Sequence, residues 1–240
     1  MLKENIFTFP KLTTWKKTQL LGHAKKLLTA QHEILQKTDN SILHYTLQNK
    51  TQHEYMKHYP KGDRIDHQTG AQYFYHCHRE DIKSTEHGHF HCFLRYKNIP
   101  KHIKPTPLKD WDKHIDNPMT HIIAIAMNNL GQPIRLFTVN RCVSSEIWYD
   151  SKHASKFINR FKITKVDDPY WIILDQWVTS MLKLFAPQIC WLYNQRDATI
   201  RSLQYTYPDC NVYENENYEE LSSININLHD HIQWIINSPV

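Results

Sequence analysis

The feature that most constrains this chain is a strict alternation of side chains in two neighbouring segments, residues 71–79 and 87–96. Because successive side chains of a strand point to opposite faces, each segment predicts a strand with one apolar face and one face rich in histidine. The histidine faces would hold five residues, His76, His78, His87, His89 and His91. Burying both apolar faces fixes the pairing register, since a slip of one residue would bury imidazoles in the core. The two histidine sets are therefore predicted to lie side by side.

An antiparallel pairing of these strands allows two registers. One places His76 opposite His91 and His78 opposite His89, and a shift of two residues places His76 opposite His89 and His78 opposite His87. Directly opposed Cβ atoms lie about 5 Å apart, so imidazoles from facing strands can share one metal ion. The five histidines are thus predicted to ligate a mononuclear or dinuclear centre of a divalent transition metal, Zn or Fe. A catalytic zinc site needs only three protein ligands and keeps a fourth position open. The predicted binding partner of such a site is a small-molecule substrate.

Charged residues beside the histidines supply the other predicted site groups. Glu86 adjoins the histidine strand and is the first choice for acid/base chemistry, with Asp66 and Arg79 completing the predicted catalytic set. A carboxylate in this place could instead orient a ligand histidine. The segment after the fourth strand combines polar groups with a tryptophan and is predicted to line a substrate pocket through Asn140, Arg141, Glu146 and Trp148.

The remainder of the chain predicts helices around a central sheet. Residues 11–37 repeat apolar side chains at helical steps, and residues 51–58 predict a second, shorter helix, whereas residues 59–69 are typical of turns. Two hairpins, over 71–96 and 120–141, predict an antiparallel sheet of four or more strands. Further helices are predicted over 151–161, 169–185 and 187–205, with an edge strand over 224–228.

These elements predict an α+β fold in which the helices pack on one face of the sheet. We expect a single domain over residues 1–240, since there is no Gly/Ser-rich linker. Its parts would be N-terminal helices at 11–58, a sheet core at 70–141 that carries the histidines, and C-terminal helices with an edge strand at 151–237.

Composition excludes some functional classes. A net charge of +5 among 240 residues and a pI near 8.8 do not favour a nucleic-acid partner. Mean hydropathy of −0.63 and the lack of a long apolar run predict no membrane span. With no signal peptide and five scattered cysteines, we expect a cytoplasmic protein whose cysteines are reduced core residues.

Two resemblances accompany these patterns. The string from His87 to Phe93, with alternating histidines, resembles the histidine-triad signature of nucleotide hydrolases and transferases. That resemblance implies His89 as a nucleophile on phosphorus, without a metal. On a larger scale, the segments 59–79, 86–91 and 121–141 resemble one uncharacterised bacterial family of unknown function, which supplies no activity.

Three hypotheses follow from the sequence. The first is a metal-dependent hydrolase or oxygenase, and the second is metal-free phosphoryl chemistry at His89. The third is a non-enzymatic effector or interaction protein with a protein partner, since the acidic run at 213–220 is similar to the tail signals of some type IV secreted effectors. Under that third hypothesis the protein would be translocated by a non-classical secretion system.

Overall fold

The computed structural model describes residues 6–48, 54–77, 85–108, 117–164 and 168–239. Within these residues the strands form one six-stranded antiparallel sheet, in the order β1 to β6. The strands are β1 (Tyr59–Ile65), β2 (Ala71–Cys77), β3 (Glu86–Arg95), β4 (Met119–Asn128), β5 (Pro133–Val139) and β6 (Glu220–Asn225). The first five follow chain order as a meander, and β6 joins the free edge of β5 after the C-terminal helices. The α+β prediction with an antiparallel sheet of four or more strands is confirmed.

The helices before the sheet are α1 (Thr14–Thr38) and α2 (Ile42–Thr46). Those after β5 are α3 (Arg141–Ser144), α4 (Ala154–Arg160), α5 (Ile172–Leu184), α6 (Ala186–Thr206) and α7 (Leu228–Asn237). Helix α1 begins where the Thr13 side chain accepts a hydrogen bond from the Lys16 backbone N–H. It ends at Asp39, whose left-handed backbone returns its N–H to the Leu35 carbonyl.

The main core joins the helices to one face of the sheet. Buried apolar side chains of α1 and α5 meet the strand residues that alternate toward them, including Tyr73, Tyr75, Phe90 and Leu94. The opposite face carries the histidines and a smaller apolar cluster around Ala124. The sheet therefore separates the main core from the histidine face, as the alternation predicts.

The edge strand expected over 224–228 is instead β6 at Glu220–Asn225, and Leu228 begins α7. Two local predictions before the central strands also differ from the structure. Residues 59–65 form the edge strand β1 where turns were expected, because a bulge containing Gly62 and Asp63, both at positive φ, lets this segment pair with β2. An edge strand tolerates Pro60, since one side of its backbone need not be paired. Of the helix expected over 51–58, residues 51–53 lie outside the described residues, and residues 54–58 are not helical.

The cysteines are free thiols in different environments. Cys77 and Cys92 are buried in the main core, Cys142 and Cys190 are half-buried, and Cys210 is exposed. The expectation of five core cysteines is therefore wrong for Cys210. Within the described part of the chain, no helix combines the length and the apolarity needed to cross a membrane.

The central hairpin adopts the second of the two expected registers. His76 on β2 lies opposite His89 on β3, and Cys77 lies opposite Gly88. On its other side β3 has a bulge, because Glu86 pairs with Asn128 and Gly88 pairs with the preceding residue of β4. His87 is the extra residue of this bulge, and the residues on either side of it no longer follow strict alternation.

Gly88 allows the two strands to approach closely at this bulge. A Cβ atom there would lie 2.2 Å from the His76 carbonyl oxygen and 2.8 Å from the Tyr75 hydroxyl. We expect Gly88→Ala to lower the free energy of unfolding by about 1–3 kcal/mol, because backbone must shift to accept the methyl group. Urea unfolding at equilibrium measures the change.

Gly22 provides the matched control, since a Cβ atom at this position on α1 meets nothing within 4 Å. Gly22→Ala should leave stability unchanged or raise it by about 1 kcal/mol, because alanine favours the helix. Equal stability of the Gly88→Ala variant and the unmodified protein would contradict the close approach.

Candidate metal centre

Three imidazoles converge on the histidine face of the sheet. His89 Nε2 lies 2.6 Å from His76 Nε2 and 2.9 Å from His91 Nε2. One ligand atom from each of the three residues lies within 4.8 Å of the others, and all three residues are buried. His76 and His89 are opposed across two strands, while His89 and His91 are separated by one residue on the same strand. We call these three residues the histidine cluster.

Glu86 joins the histidine cluster because of the bulge at His87. The bulge turns Glu86 to the face of His89, and the Glu86 Oε1 atom lies 2.8 Å from His89 Nδ1. The second carboxylate oxygen accepts a 2.9 Å hydrogen bond from Arg135 on β5. Arg135 also pairs with Glu220 on β6 and lies over the Phe137 ring. Contacts among three strands, β3, β5 and β6, thus hold the Nδ1 side of His89 in place.

His121 is a further histidine of this site, and strict strand alternation does not predict it. Its Nε2 atom lies 3.0 Å from His91 Nδ1. Strict alternation would place His121 with Ile123 in the main core, but a bulge at Ile122 turns it to the histidine face. The signal in the sequence is the pair Ile122-Ile123, because both isoleucines are buried in the main core only if the strand bulges.

Burial keeps His91 and His121 neutral. It lowers the pKa of His91 well below the usual value, and the nearby His89, His121 and His76 lower this pKa further. Burial, followed by His89 and Arg196, lowers the pKa of His121 to about 3. A neutral imidazole keeps a lone pair on one ring nitrogen, which is the form that ligates a metal.

Comparison with known proteins gives a family without an activity. Residues 22–226 match DUF6969, a domain of unknown function. This chain belongs to that family. The match confirms the resemblance to an uncharacterised family, and it covers both the histidine cluster and the strands that hold it. No curated protein and no solved structure matches the chain.

The other predicted ligands of the DUF6969 chain lie elsewhere. His87 points to the opposite face, where its Nδ1 atom lies 2.7 Å from the Tyr75 hydroxyl. Its displacement follows from the bulge, which breaks the alternation that grouped it with His89 and His91. His78 and Arg79 lie outside the described residues.

The two carboxylates predicted to be catalytic have different surroundings. Burial by itself raises the pKa of Glu86, but hydrogen bonds with His89 and Arg135 outweigh it and bring this pKa to about 2. Glu86 is therefore ionised at neutral pH, the form that can orient His89 or accept a proton, and its acid/base role stays a prediction. Asp66 instead accepts hydrogen bonds from the backbone of Gln68 and Thr69 and from Thr164. These contacts close a turn before β2, and catalysis by Asp66 stays a prediction.

The four predicted substrate-binding residues lie together where β5 leads into α3. Asn140 caps α3 and donates to the Val212 carbonyl, and Arg141 binds the Glu146 carbonyl and pairs with Glu214. Trp148 is buried under the Arg196 guanidinium, 4.0 Å from the ring centroid. These side chains tie residues 212–214 to the sheet, and their contact with a substrate stays a prediction.

Glu146 connects this group to the histidine site through the backbone. Its Oε2 atom accepts hydrogen bonds from the His121 N–H at 2.9 Å and from the Thr120 hydroxyl at 3.0 Å. Burial raises the pKa of Glu146 to about 7, against the opposing effects of Arg196 and the hydrogen bonds. Glu146 therefore fixes the backbone at the β4 bulge that presents His121.

The acidic run at 213–220 also has structural partners. Glu214 pairs with Arg141, and Glu220 pairs with Arg135. Short 3₁₀ turns over Val212–Glu214 and Glu216–Tyr218 precede β6. Internal ion pairs therefore account for part of the negative charge on which the effector hypothesis depended.

Glu146 predicts how stability depends on pH. The pKa of Glu146 in the folded protein is about 7, above the usual value of 4.5. Its contribution to the free energy of unfolding is therefore fully present below pH 4.5 and is lost as the pH rises through 7. As the pH rises from 4.5 to 8, we expect the free energy of unfolding of the Glu146→Gln variant to increase by about 3 kcal/mol relative to that of the unmodified protein. The reason is that the variant buries no charge.

Urea unfolding at several pH values measures this difference. Glu33→Gln is the matched control, because Glu33 is exposed on α1 and should leave the pH dependence unchanged. A constant difference between the Glu146→Gln variant and the unmodified protein across this pH range would show that Glu146 has an ordinary pKa.

Proposed function

We propose that this DUF6969 chain binds a divalent transition metal through His76, His89 and His91. The observation that carries the proposal is the convergence of their Nε2 atoms, with His89 Nε2 at 2.6 Å from one and 2.9 Å from the other. Two nitrogens bound to one tetrahedral zinc lie about 3.3 Å apart. Side-chain rotations that widen these two separations by about 0.7 and 0.4 Å would therefore bring them to the zinc-bound value.

Hydrogen bonding alone does not account for the surroundings of His89. The ionised Glu86 carboxylate can only accept, so His89 Nδ1 carries a proton, and in the neutral form of the ring His89 Nε2 carries a lone pair. One lone pair accepts one in-plane N–H, yet two other Nε2 atoms lie within 2.9 Å of it. A metal ion that accepts a lone pair from each ring would satisfy all three nitrogens together.

His91 is oriented in a similar way. If its Nδ1 donates to His121 Nε2, its own Nε2 lone pair faces the histidine cluster. Metal-binding histidines commonly donate their second ring N–H to an acceptor that fixes the ring. Here Glu86 would be that acceptor for His89 and His121 for His91, and neither would bind the metal itself.

The same geometry supports an open, catalytic centre. Structural zinc sites use four protein ligands, whereas the described residues offer a group of three, and His78 lies outside them. Three imidazoles leave room for water or substrate on the ion, which suits either metal-assisted hydrolysis or oxygen chemistry at iron. The proposal is thus a metal-dependent enzyme, with Zn or Fe as its cofactor.

The metal-free alternative has less support. Attack on phosphorus by His89 requires an accessible Nε2 atom, and this atom lies between two other imidazoles in a residue that is 6% exposed. Glu86 orients the ring so that Nε2 points into the histidine cluster. This arrangement favours a shared ion over a nucleophile.

Metal content tests the proposal directly. Untagged protein, purified without added metal, should contain about one equivalent of a transition metal by inductively coupled plasma mass spectrometry. His89→Ala should lose that metal, because it removes the central ligand. His229→Ala is the matched control, since His229 is exposed on α7. Equal metal content in the two variants, with circular dichroism showing that both are folded, would refute the proposal.

Glu86 provides a second test that leaves all three ligands in place. Glu86→Gln should weaken zinc binding about 10- to 100-fold, because a neutral amide orients His89 less firmly and does not offset the charge of the ion. Competition with a chromogenic chelator at pH 7 measures the affinity. Glu216→Gln, a change at an exposed glutamate, should leave it unchanged. Unaltered affinity in the Glu86→Gln variant would mean that Glu86 does not act through His89.

A further inference from the structure

A second, basic site lies on the helical side of the molecule. A cleft of about 340 Å³ opens between α1, α5 and the segment after α4. Its basic lining residues are His23 and Lys26 from α1, Lys162 from the segment after α4, and Lys183 from α5. Three separate parts of the chain thus bring their cationic side chains to one concave surface.

No available carboxylate balances these charges within the described lining of the cleft. Asp175 is its acidic residue, and Arg64 binds both Asp175 oxygens at 3.0 and 2.9 Å. The Tyr73 hydroxyl also donates to Asp175, at 2.8 Å. The Lys183 ammonium donates to the carbonyls of Ile158 and Asn159, which are neutral acceptors. The cleft therefore keeps a net positive charge.

The titration of two cleft residues reflects this charge. Burial lowers the pKa of His23 to about 4, with further lowering by Lys183, Lys26 and Lys16. Burial lowers the pKa of Lys183 to about 8, with further lowering by Lys16 and Lys162. Like charges held close together repel each other, and a bound anion would relieve that repulsion.

An unused hydroxyl lies in the same cleft. Thr179 Oγ1 is buried and has no hydrogen-bond partner among the described residues, although the residue lines the cleft. Threonines within helices usually donate to the carbonyl four residues earlier, as Thr18 and Thr206 do here. Thr179 does not, and a rotation about its Cα–Cβ bond that turns the buried hydroxyl toward the cleft would let it donate to a ligand. A hydroxyl beside lysines is a typical set of donors for phosphate oxygens.

We propose that this cleft binds the phosphate group of a small soluble molecule, such as a phosphate monoester or a diphosphate. Lys26, Lys162 and Lys183 supply the positive charge, and Thr179 donates a directional hydrogen bond. The cleft volume exceeds that of a phosphate group, and the half-exposed Ile172 offers apolar contact to the remainder of the ligand. The site does not depend on the metal centre.

Isothermal titration calorimetry with inorganic phosphate and pyrophosphate tests the proposal. Pyrophosphate should bind more tightly than phosphate, and added KCl should weaken both. Lys26→Gln should weaken pyrophosphate binding about fivefold, and Lys26→Gln combined with Lys162→Gln more strongly. Thr179→Val, which removes only the hydroxyl, should weaken it about tenfold.

Lys25→Gln is the matched control, because Lys25 is an exposed neighbour on α1 that does not line the cleft. It should leave binding unchanged, and binding should persist in His89→Ala, which separates this site from the histidine cluster. Equal weakening in the Lys25→Gln and Lys26→Gln variants would overturn the proposal in favour of general surface attraction. Absence of phosphate and pyrophosphate binding, or binding only to phosphatidylserine vesicles, would also overturn it.

Discussion

The two β-bulges, at His87 on β3 and at Ile122 on β4, decide which side chains reach the histidine face. A strand without a bulge would send Glu86 and His121 into the main core, where neither an ionised carboxylate nor a polar ring would find enough partners. Each bulge shifts the alternation by one residue. Glu86 then lies beside His89, and His121 lies beside His91. The orienting groups of the proposed metal centre therefore depend on local breaks in a regular sheet.

The alternation of apolar and polar residues was sufficient to predict the two faces of the sheet and to limit the hairpin to two registers, one of which places His76 opposite His89. It was sufficient because hydrophobic burial on one face excludes a slip of one residue, although it leaves a shift of two residues possible. The same reasoning grouped His87 with the ligands and overlooked His121. Pairing rules assign faces by counting residues, and a bulge adds one residue that the count does not include.

Longer-range features could not be predicted from local pattern. The pairing of Arg135 with both Glu86 and Glu220 joins residues from β3, β5 and β6, which lie far apart in the chain. Similarly, Asn140 and Arg141 are polar residues of the kind that line a pocket rim. In the structure, Asn140 donates to the Val212 carbonyl and Arg141 pairs with the Glu214 side chain. Polar side chains reveal their role only when the fold supplies their partners, since the same groups serve ligands and buried contacts alike.

The chain of charges behind His89 suits the ion that we propose. Three neutral imidazoles leave the two positive charges of a divalent ion uncompensated, and a nearby carboxylate stabilises them. Glu86 provides this negative charge through His89, while Arg135 keeps Glu86 ionised and Glu220 in turn balances Arg135. Because Glu220 lies on β6, the electrostatics of the centre are complete only when the C-terminal strand has joined the sheet. The proposed centre therefore draws on the last strand of the sheet as well as on the strands that carry its ligands.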